Sequence, residues 1–155
     1  MSKKTLRISK IKNGTVIDHI TKGHALDVVK ILGINGRSDG VTTITMNVPS
    51  SKIGVKDVVK IEVRELNPEE VDKIALIAPH ATINIIRNFK VTEKQHVKLP
   101  PVIYGIVKCS NPTCISNNER EPVKPIFYVE KEEPLRLRCH YCIHIMEKED
   151  VLKQF

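Results

Sequence analysis

Four cysteines are the residues of this sequence whose type and spacing best fit a defined chemistry. They form two pairs, Cys109-x4-Cys114 and Cys139-x2-Cys142, with 24 residues between the pairs. Thiolates are soft ligands, and four of them in a tetrahedral array suit Zn²⁺ at about 2.3 Å each. A cage of four sulfurs leaves no coordination position for water, so the pattern predicts a structural zinc ion without a hydrolytic role.

Three other interpretations of the cysteines compete with zinc: disulfides, a rubredoxin-like iron site, and four unrelated thiols. The charged start, Met1 to Lys4, lacks the apolar core of a signal peptide, and no apolar run approaches the roughly 20 residues of a membrane span. We therefore expect a cytoplasmic protein without membrane contact, where thiols stay reduced. Iron uses the same ligands and stays open. The nearby His140 and His144 are expected to be surface residues.

The positive charge lies outside the cysteine module. Residues 1–100 hold 17 Lys and Arg against 10 Asp and Glu, whereas residues 101–155 hold 8 of each. A module without net charge is poorly suited to bind a phosphate backbone. Aromatic side chains for stacking on bases are also scarce, because the chain has 4% aromatic residues and no Trp. The excess positive charge could serve to bind a small anion such as a nucleotide. Charge alone favours the other interpretation, in which the lysines form a solvated face. A zinc ribbon that binds RNA or DNA remains the alternative function.

The apolar pattern divides the chain at Pro100-Pro101 into a domain over residues 1–99 and another over 102–155. The first domain has the order strand, helix, strand, strand, helix, strand, beginning near Leu6 and ending near Lys90. That order predicts a ferredoxin-like α/β sandwich, and the second domain is predicted to be a small zinc-bound β domain, giving an α+β chain overall. So small a module needs a metal to supplement its core.

Strand alternation places two polar residues on the sheet face that the helices leave open. Lys60 points away from Val59 and Ile61, and Asn84 points away from its apolar neighbours. The same alternation sends Asp18 and His19 to opposite faces, so adjacency does not make them a catalytic relay. We predict no enzyme activity for the chain itself.

Four segments and the two cysteine loops, in order, resemble the regulatory chain of aspartate carbamoyltransferase. The resemblance runs from about Leu6 to the C-terminus and keeps the cysteine spacing. The matching segments are Gly14-Thr15-Val16-Ile17-Asp18-His19-Ile20, Asn47-Val48-Pro49-Ser50, Gly54-Val55-Lys56-Asp57-Val58-Val59-Lys60-Ile61-Glu62, Ala78-Pro79-His80-Ala81-Thr82-Ile83-Asn84, and the two cysteine loops from Cys109 to Asn117 and from Cys139 to Cys142.

The resemblance implies a non-catalytic subunit of the enzyme that commits carbamoyl phosphate and aspartate to pyrimidine synthesis. In that family the N-terminal domains pair as homodimers and bind nucleotide effectors, with CTP inhibiting and ATP opposing it. The zinc domains dock on catalytic chains in an assembly of six catalytic and six regulatory chains. No nucleic acid is implied as a partner.

The resemblance also implies residue roles. Asn111 and Tyr141 would lie at the contact with the catalytic chain. Phe89 stands where the family pattern has Tyr, Ser9-Lys10 where a Glu and a small residue are familiar, and Thr113 where an Asn is familiar, which bears on effector preference. The nucleotide site would comprise Ser9, Lys10, Ile11, Val16, Asp18, His19, Lys60, Asn84, Ile86, Phe89, Val91 and Lys94.

Overall fold

A five-stranded antiparallel sheet with two helices forms the first part of the chain. The structure is a computed structural model, and it describes residues 10–37 and 40–155. The predicted start of the first strand at Leu6 and the predicted site residue Ser9 lie outside the described residues. The elements are β1 (Gly14–Thr21), α1 (Ala25–Ile31), β2 (Thr42–Ser50), β3 (Gly54–Glu62), α2 (Pro68–Ile77), β4 (Thr82–Arg87) and β5 (Lys90–His96).

The strand order confirms the predicted ferredoxin-like topology. The strands lie in the order β2-β3-β1-β4-β5, and every neighbouring pair is antiparallel. Gly14 begins β1 with φ of +144°, and a Cβ atom there would lie 2.1 Å from the carbonyl oxygen of Ile61. Only glycine therefore allows the central strand to approach β3 this closely.

The strand β5 was not predicted, and it extends the sheet beyond the expected four strands. The chain turns at Asn88 and Phe89, whose φ values are +51° and +64°, and returns along β4. All seven residues of β5 are exposed. An edge strand without a buried stripe has no alternating apolar signal, so the sequence pattern ends at β4.

Helix α2 begins at Pro68, directly after Asn67, a residue type that favours the N-cap position. The Asn67 side chain accepts from the Glu70 amide at 2.9 Å, and the Glu70 carboxylate accepts from the Asn67 amide at 3.2 Å. Pro68 occupies the first turn, where a missing N–H costs nothing. The last turn buries Ile74, with Ala75, Leu76 and Ile77, against the sheet.

The second part of the chain is a four-stranded antiparallel sheet with a terminal helix. Among the described residues, no helix is long and apolar enough to cross a membrane. The sequence pattern predicts a strand over Val102–Lys108 and a short helix within Met146–Phe155. The strand ends already at Tyr104, and a further strand precedes the helix. The elements, in the sheet order β6-β7-β8-β9, are β6 (Val102–Tyr104), β7 (Ile126–Lys131), β8 (Arg136–Cys139) and β9 (Ile145–Glu147), followed by α3 (Lys148–Leu152).

One hydrophobic core continues from the first sheet into the second. Phe127, Leu137 and Met146 are fully buried in the second sheet and belong to the same cluster as Ile17 and Ile77 of the first. The two sheets therefore share apolar surface, which burial stabilises at about 25 cal/mol per Å².

Candidate functional site

The four cysteine sulfurs lie together in one cluster, as their spacing predicts. All four Sγ atoms are within 4.8 Å of one another, with Cys109 to Cys142 at 3.6 Å and Cys114 to Cys139 at 3.7 Å. A tetrahedron with metal–sulfur bonds of about 2.3 Å has sulfur–sulfur edges of about 3.8 Å. A disulfide would need about 2.05 Å. The geometry therefore fits a tetrahedral metal cage and not a disulfide pair.

The thiols have different acidities because their surroundings differ. Burial raises the pKa of Cys109 and Cys139. At Cys142 burial also acts upward, but the His144 backbone amide and the Asn111 side chain, followed by the neighbouring thiols, outweigh it and lower the pKa to about 6. Cys142 therefore loses its proton more readily than Cys109 or Cys139, and a bound metal cation would favour the thiolate form of its ligands.

Turn chemistry holds the first cysteine loop in shape. The Asn111 side-chain oxygen accepts from the Thr113 amide at 3.1 Å and from the Thr113 hydroxyl at 2.8 Å. Asn117 donates from its amide nitrogen to the carbonyl oxygens of Cys109 and Asn111, each at 2.8 Å. Thr113, which stands where the family pattern has Asn, therefore still forms the hydrogen bonds that close the turn at Asn111. Sequence reasoning missed Asn117 as a loop-fixing residue.

The histidines beside the cysteines are exposed, which confirms their prediction as surface residues. The His144 Nε2 lies 2.8 Å from the Ser110 hydroxyl, and the His140 Nδ1 lies 2.6 Å from the Tyr128 hydroxyl. Tyr141 packs edge-on against His140 and donates its hydroxyl to the Lys124 carbonyl oxygen at 3.0 Å.

The second candidate site is a cavity of about 370 Å³ on the helix-free face of the first sheet. Strand register places Lys94, Asn84, Val16 and Lys60 in one row across four strands. The open-face positions expected for Lys60 and Asn84 are therefore found. The structure brings together eleven of the twelve residues that the resemblance implied: Lys10, Ile11, Val16, Asp18, His19, Lys60, Asn84, Ile86, Phe89, Val91 and Lys94.

A bulge in β1 overturns the expectation that Asp18 and His19 face opposite sides of the sheet. The register with β3 shifts between Ile17 and Ile20, and His19 has φ of +55°. The extra twist turns both neighbouring side chains into the same cavity. Their nearest ring nitrogen and carboxylate oxygen are 3.9 Å apart, which is an ion-pair distance and too long for a hydrogen bond.

Cations dominate the electrostatics of this cavity. Burial lowers the pKa of His19, and the positive charges of Lys56, Lys52 and Lys94 lower it further. The negative charge of Asp18 acts in the opposite direction and raises this pKa. Burial also lowers the pKa of Lys60, which is 8% exposed, against the attraction of Asp18. An anion in the cavity would relieve this mutual repulsion.

Asp18 remains ionised in this setting. Burial alone acts to raise its pKa, but the hydrogen bond from Lys56 at 2.8 Å and the His19 backbone amide at 2.7 Å hold it below the usual value. The carboxylate can therefore accept hydrogen bonds from a ligand at neutral pH.

A cation-lined pocket on a ferredoxin-like sheet, followed in the chain by a cluster of four cysteine sulfurs, defines an α+β protein with a candidate metal-binding module. Two family models match the chain: "Aspartate carbamoyltransferase regulatory chain, allosteric domain" over residues 6–98 and "Aspartate carbamoyltransferase regulatory chain, metal binding domain" over residues 101–152.

Relatives match the chain over nearly its whole length. The chain is 55% identical over 152 residues to the aspartate carbamoyltransferase regulatory chain of Korarchaeum cryptofilum, covering 98% of this chain and 97% of the relative. It is 55% identical over 148 residues to that of Pyrococcus horikoshii, covering 95% and 96%. It is 54% identical over 153 residues to that of Thermoplasma volcanium, covering 99% and 100%.

The chain belongs to the aspartate carbamoyltransferase regulatory chain family. It is a regulatory and non-catalytic subunit with an allosteric and a metal-binding domain, as the sequence predicts. The family assignment does not favour the alternative of a zinc ribbon that binds nucleic acid.

Proposed function

We propose that residues 1–99 bind nucleotide effectors, CTP and ATP among them, and that residues 102–155 transmit the effect to a catalytic chain. The observation that carries the proposal is the convergence of eleven implied residues on one cavity of about 370 Å³. A site of this volume suits a ligand of nucleotide size.

The cavity offers each part of a nucleotide a matching surface. Val16, Ile86 and Val91 provide apolar contact for a base, with Phe89 at the rim, and Asp18 and Asn84 offer polar contacts to base or ribose. His19, Lys60 and Lys94 would meet the phosphates, for which charge-assisted contacts are the strong ones. Lys10 and Ile11 would contact the base through their backbone, and Ser9 is included in the proposed site on the resemblance alone.

The metal is proposed to be one structural Zn²⁺ per chain, held by Cys109, Cys114, Cys139 and Cys142. Sulfur–sulfur distances of 3.6 and 3.7 Å support a tetrahedral ion with this ligand set. Zinc in such small modules contributes roughly 10–16 kcal/mol to folding. Four reduced thiols suit the cytoplasm, which is where we propose the protein acts.

Docking on the catalytic chain is assigned to the surface beside the metal, around Asn111 and Tyr141. Two apolar side chains next to the cysteine loops are exposed there, Ile115 and, at 65%, Ile143. Exposed apolar side chains rimmed by polar groups are typical of protein contacts. The proposed assembly has regulatory homodimers joined through the first domains and contains six catalytic and six regulatory chains.

Transmission requires that the nucleotide bind one quaternary arrangement better than another. The differential affinity then shifts the equilibrium of the attached catalytic chains, typically by 1–3 kcal/mol. The metal module acts as a rigid connection between the nucleotide domain and the catalytic chain.

Co-expression with the catalytic chain tests the proposal directly. We expect the two chains to copurify, the isolated chain to show no carbamoyl transfer, and CTP and ATP to change the activity of the complex. Stripping the metal with a chelator should release the catalytic chain. A complex that survives chelation, or whose activity ignores saturating nucleotides, contradicts the proposal.

A further inference from the structure

Within the part of the chain that the structure describes, two side-chain hydrogen bonds connect the nucleotide domain to the metal domain, and they differ in burial. His80 lies 2.9 Å from Glu133, but both side chains are more than half exposed, so this contact contributes little. His24 lies 2.6 Å from the Lys148 ammonium and 2.9 Å from the Asp27 carboxylate. The His24 and Asp27 side chains are only 20% and 26% exposed.

The chemistry of the three groups sets the direction of the hydrogen bonds among them. An ammonium has donors and no acceptor, so Lys148 donates to His24 Nε2. The other ring nitrogen, Nδ1, is then the one that donates to the Asp27 carboxylate. The three side chains form one line of hydrogen bonds from α1 to α3, which we call the interdomain joint (Asp27, His24 and Lys148).

The joint is tied to the nucleotide cavity through two adjacent residues of β3. Lys56 points to the open face and pairs with Asp18 at 2.8 Å. Asp57 points to the opposite face, is fully buried, and accepts from the amides of Gly23 at 3.0 Å and Ala25 at 3.2 Å. These amides flank His24, so one short stretch of strand positions both a wall of the cavity and the joint.

We infer that the interdomain joint is a positioning element that couples nucleotide binding to the metal domain. The inference rests on the proposed function, because it names the contact through which the nucleotide signal crosses. A nucleotide that orders Asp18 and Lys56 also orders Asp57 and the turn carrying His24. His24 then holds Lys148 and, with it, α3 of the metal domain.

Lys148→Met tests the inference in the full-length, zinc-loaded chain, because it keeps the apolar stem and removes the donor. The measurement is the rate of zinc release to a chromogenic chelator with and without saturating CTP, together with the Kd for CTP. Matched controls are Lys148→Arg, which keeps a cationic donor, and Glu133→Gln, which removes the exposed contact.

We expect CTP to slow zinc release in the unmodified chain and also in the two control variants, Lys148→Arg and Glu133→Gln. In Lys148→Met the ratio of the two release rates should fall about three- to tenfold, the effect of a partly exposed charged hydrogen bond. The CTP affinity of the zinc-loaded variant should also fall, because the metal domain then no longer favours the nucleotide-bound state through the joint. A purely structural role would speed release equally with and without CTP and leave the ratio unchanged.

An unchanged ratio in Lys148→Met overturns the inference, as does a ratio of one in the unmodified chain that binds CTP. If CTP does not bind at all, the proposed function fails instead. Differential scanning calorimetry then tests whether the interdomain joint connects the two domains. The unmodified chain should then unfold in one transition and Lys148→Met in two. A single transition in the variant would refute the joint.

Discussion

Replacing Lys60 by Met should weaken nucleotide binding while leaving the ligand-free protein as stable as before. Lys60 lies in the cavity row beside Val16 and is 8% exposed. Its ammonium is costly to bury, as its lowered pKa indicates. Met retains the length and apolar contact of the side chain and removes the charge.

The magnitude follows from the hydrogen bond that the ammonium would make to a nucleotide. A hydrogen bond to a charged group contributes about 1.5–3 kcal/mol, which is about 10- to 150-fold in Kd. The cavity is open to solvent, so we expect the lower end, about tenfold. In the ligand-free chain, relief of the burial cost offsets the lost attraction of Asp18, and the unfolding free energy should change by less than about 1 kcal/mol.

Titration calorimetry with CTP measures the affinity, differential scanning calorimetry the stability, and metal analysis the zinc content. Lys98→Met serves as the control, because Lys98 is exposed and does not line the cavity. A Kd for Lys60→Met within twofold of the unmodified chain would refute the reasoning, as would an equal loss in Lys98→Met.

Three further predictions concern protons, metal and capping. Nucleotide binding near the ordinary pKa of imidazole should take up protons, because negative phosphates beside His19 would counteract the burial and the lysine charges that lower its pKa. Calorimetry in buffers of different ionisation enthalpy measures this uptake. Chelation should unfold residues 102–155 and leave the first sheet folded, as NMR amide spectra would report. Asn67→Ala should cost about 1 kcal/mol in denaturant unfolding, because the capping bond from the Glu70 amide to the Asn67 side chain is lost.

Each of these predictions has a contradicting result. Equal proton uptake in His19→Gln assigns the proton to another group. A metal-free chain with unchanged amide spectra in residues 102–155 shows that the metal does not hold the second sheet. Full stability in Asn67→Ala shows that the capping box does not contribute, and Asn67→Asp, which keeps the acceptor, is the matched control.

The sequence predictions that the structure confirms rest on regular spacing of residues along the chain. Alternation along β3 and β4 put Lys60 and Asn84 on the open face, and the paired spacing of the cysteines indicated one cluster, as the sulfur distances confirm. The alternation depends only on neighbours within one strand. The cysteine cluster joins two distant loops, but the paired spacing marks each of them in the sequence.

The features that sequence analysis missed depend on local irregularity or on distant parts of the chain. The bulge that turns His19 into the cavity breaks the alternation on which the prediction relied. The edge strand β5 buries no side chain and so leaves no periodic pattern. The contact of His24 with Lys148 joins residues 124 positions apart, and no motif marks either one.

The exposure of β5 separates ligand selectivity from folding in this chain. Val91 and Lys94 line the cavity from that strand, with Phe89 in the preceding turn, and all three side chains lie at the surface. Exposed substitutions usually change stability by less than about 0.5 kcal/mol. Mutations on this edge are therefore expected to change the contacts of the proposed nucleotide site while the packed interior stays as it was.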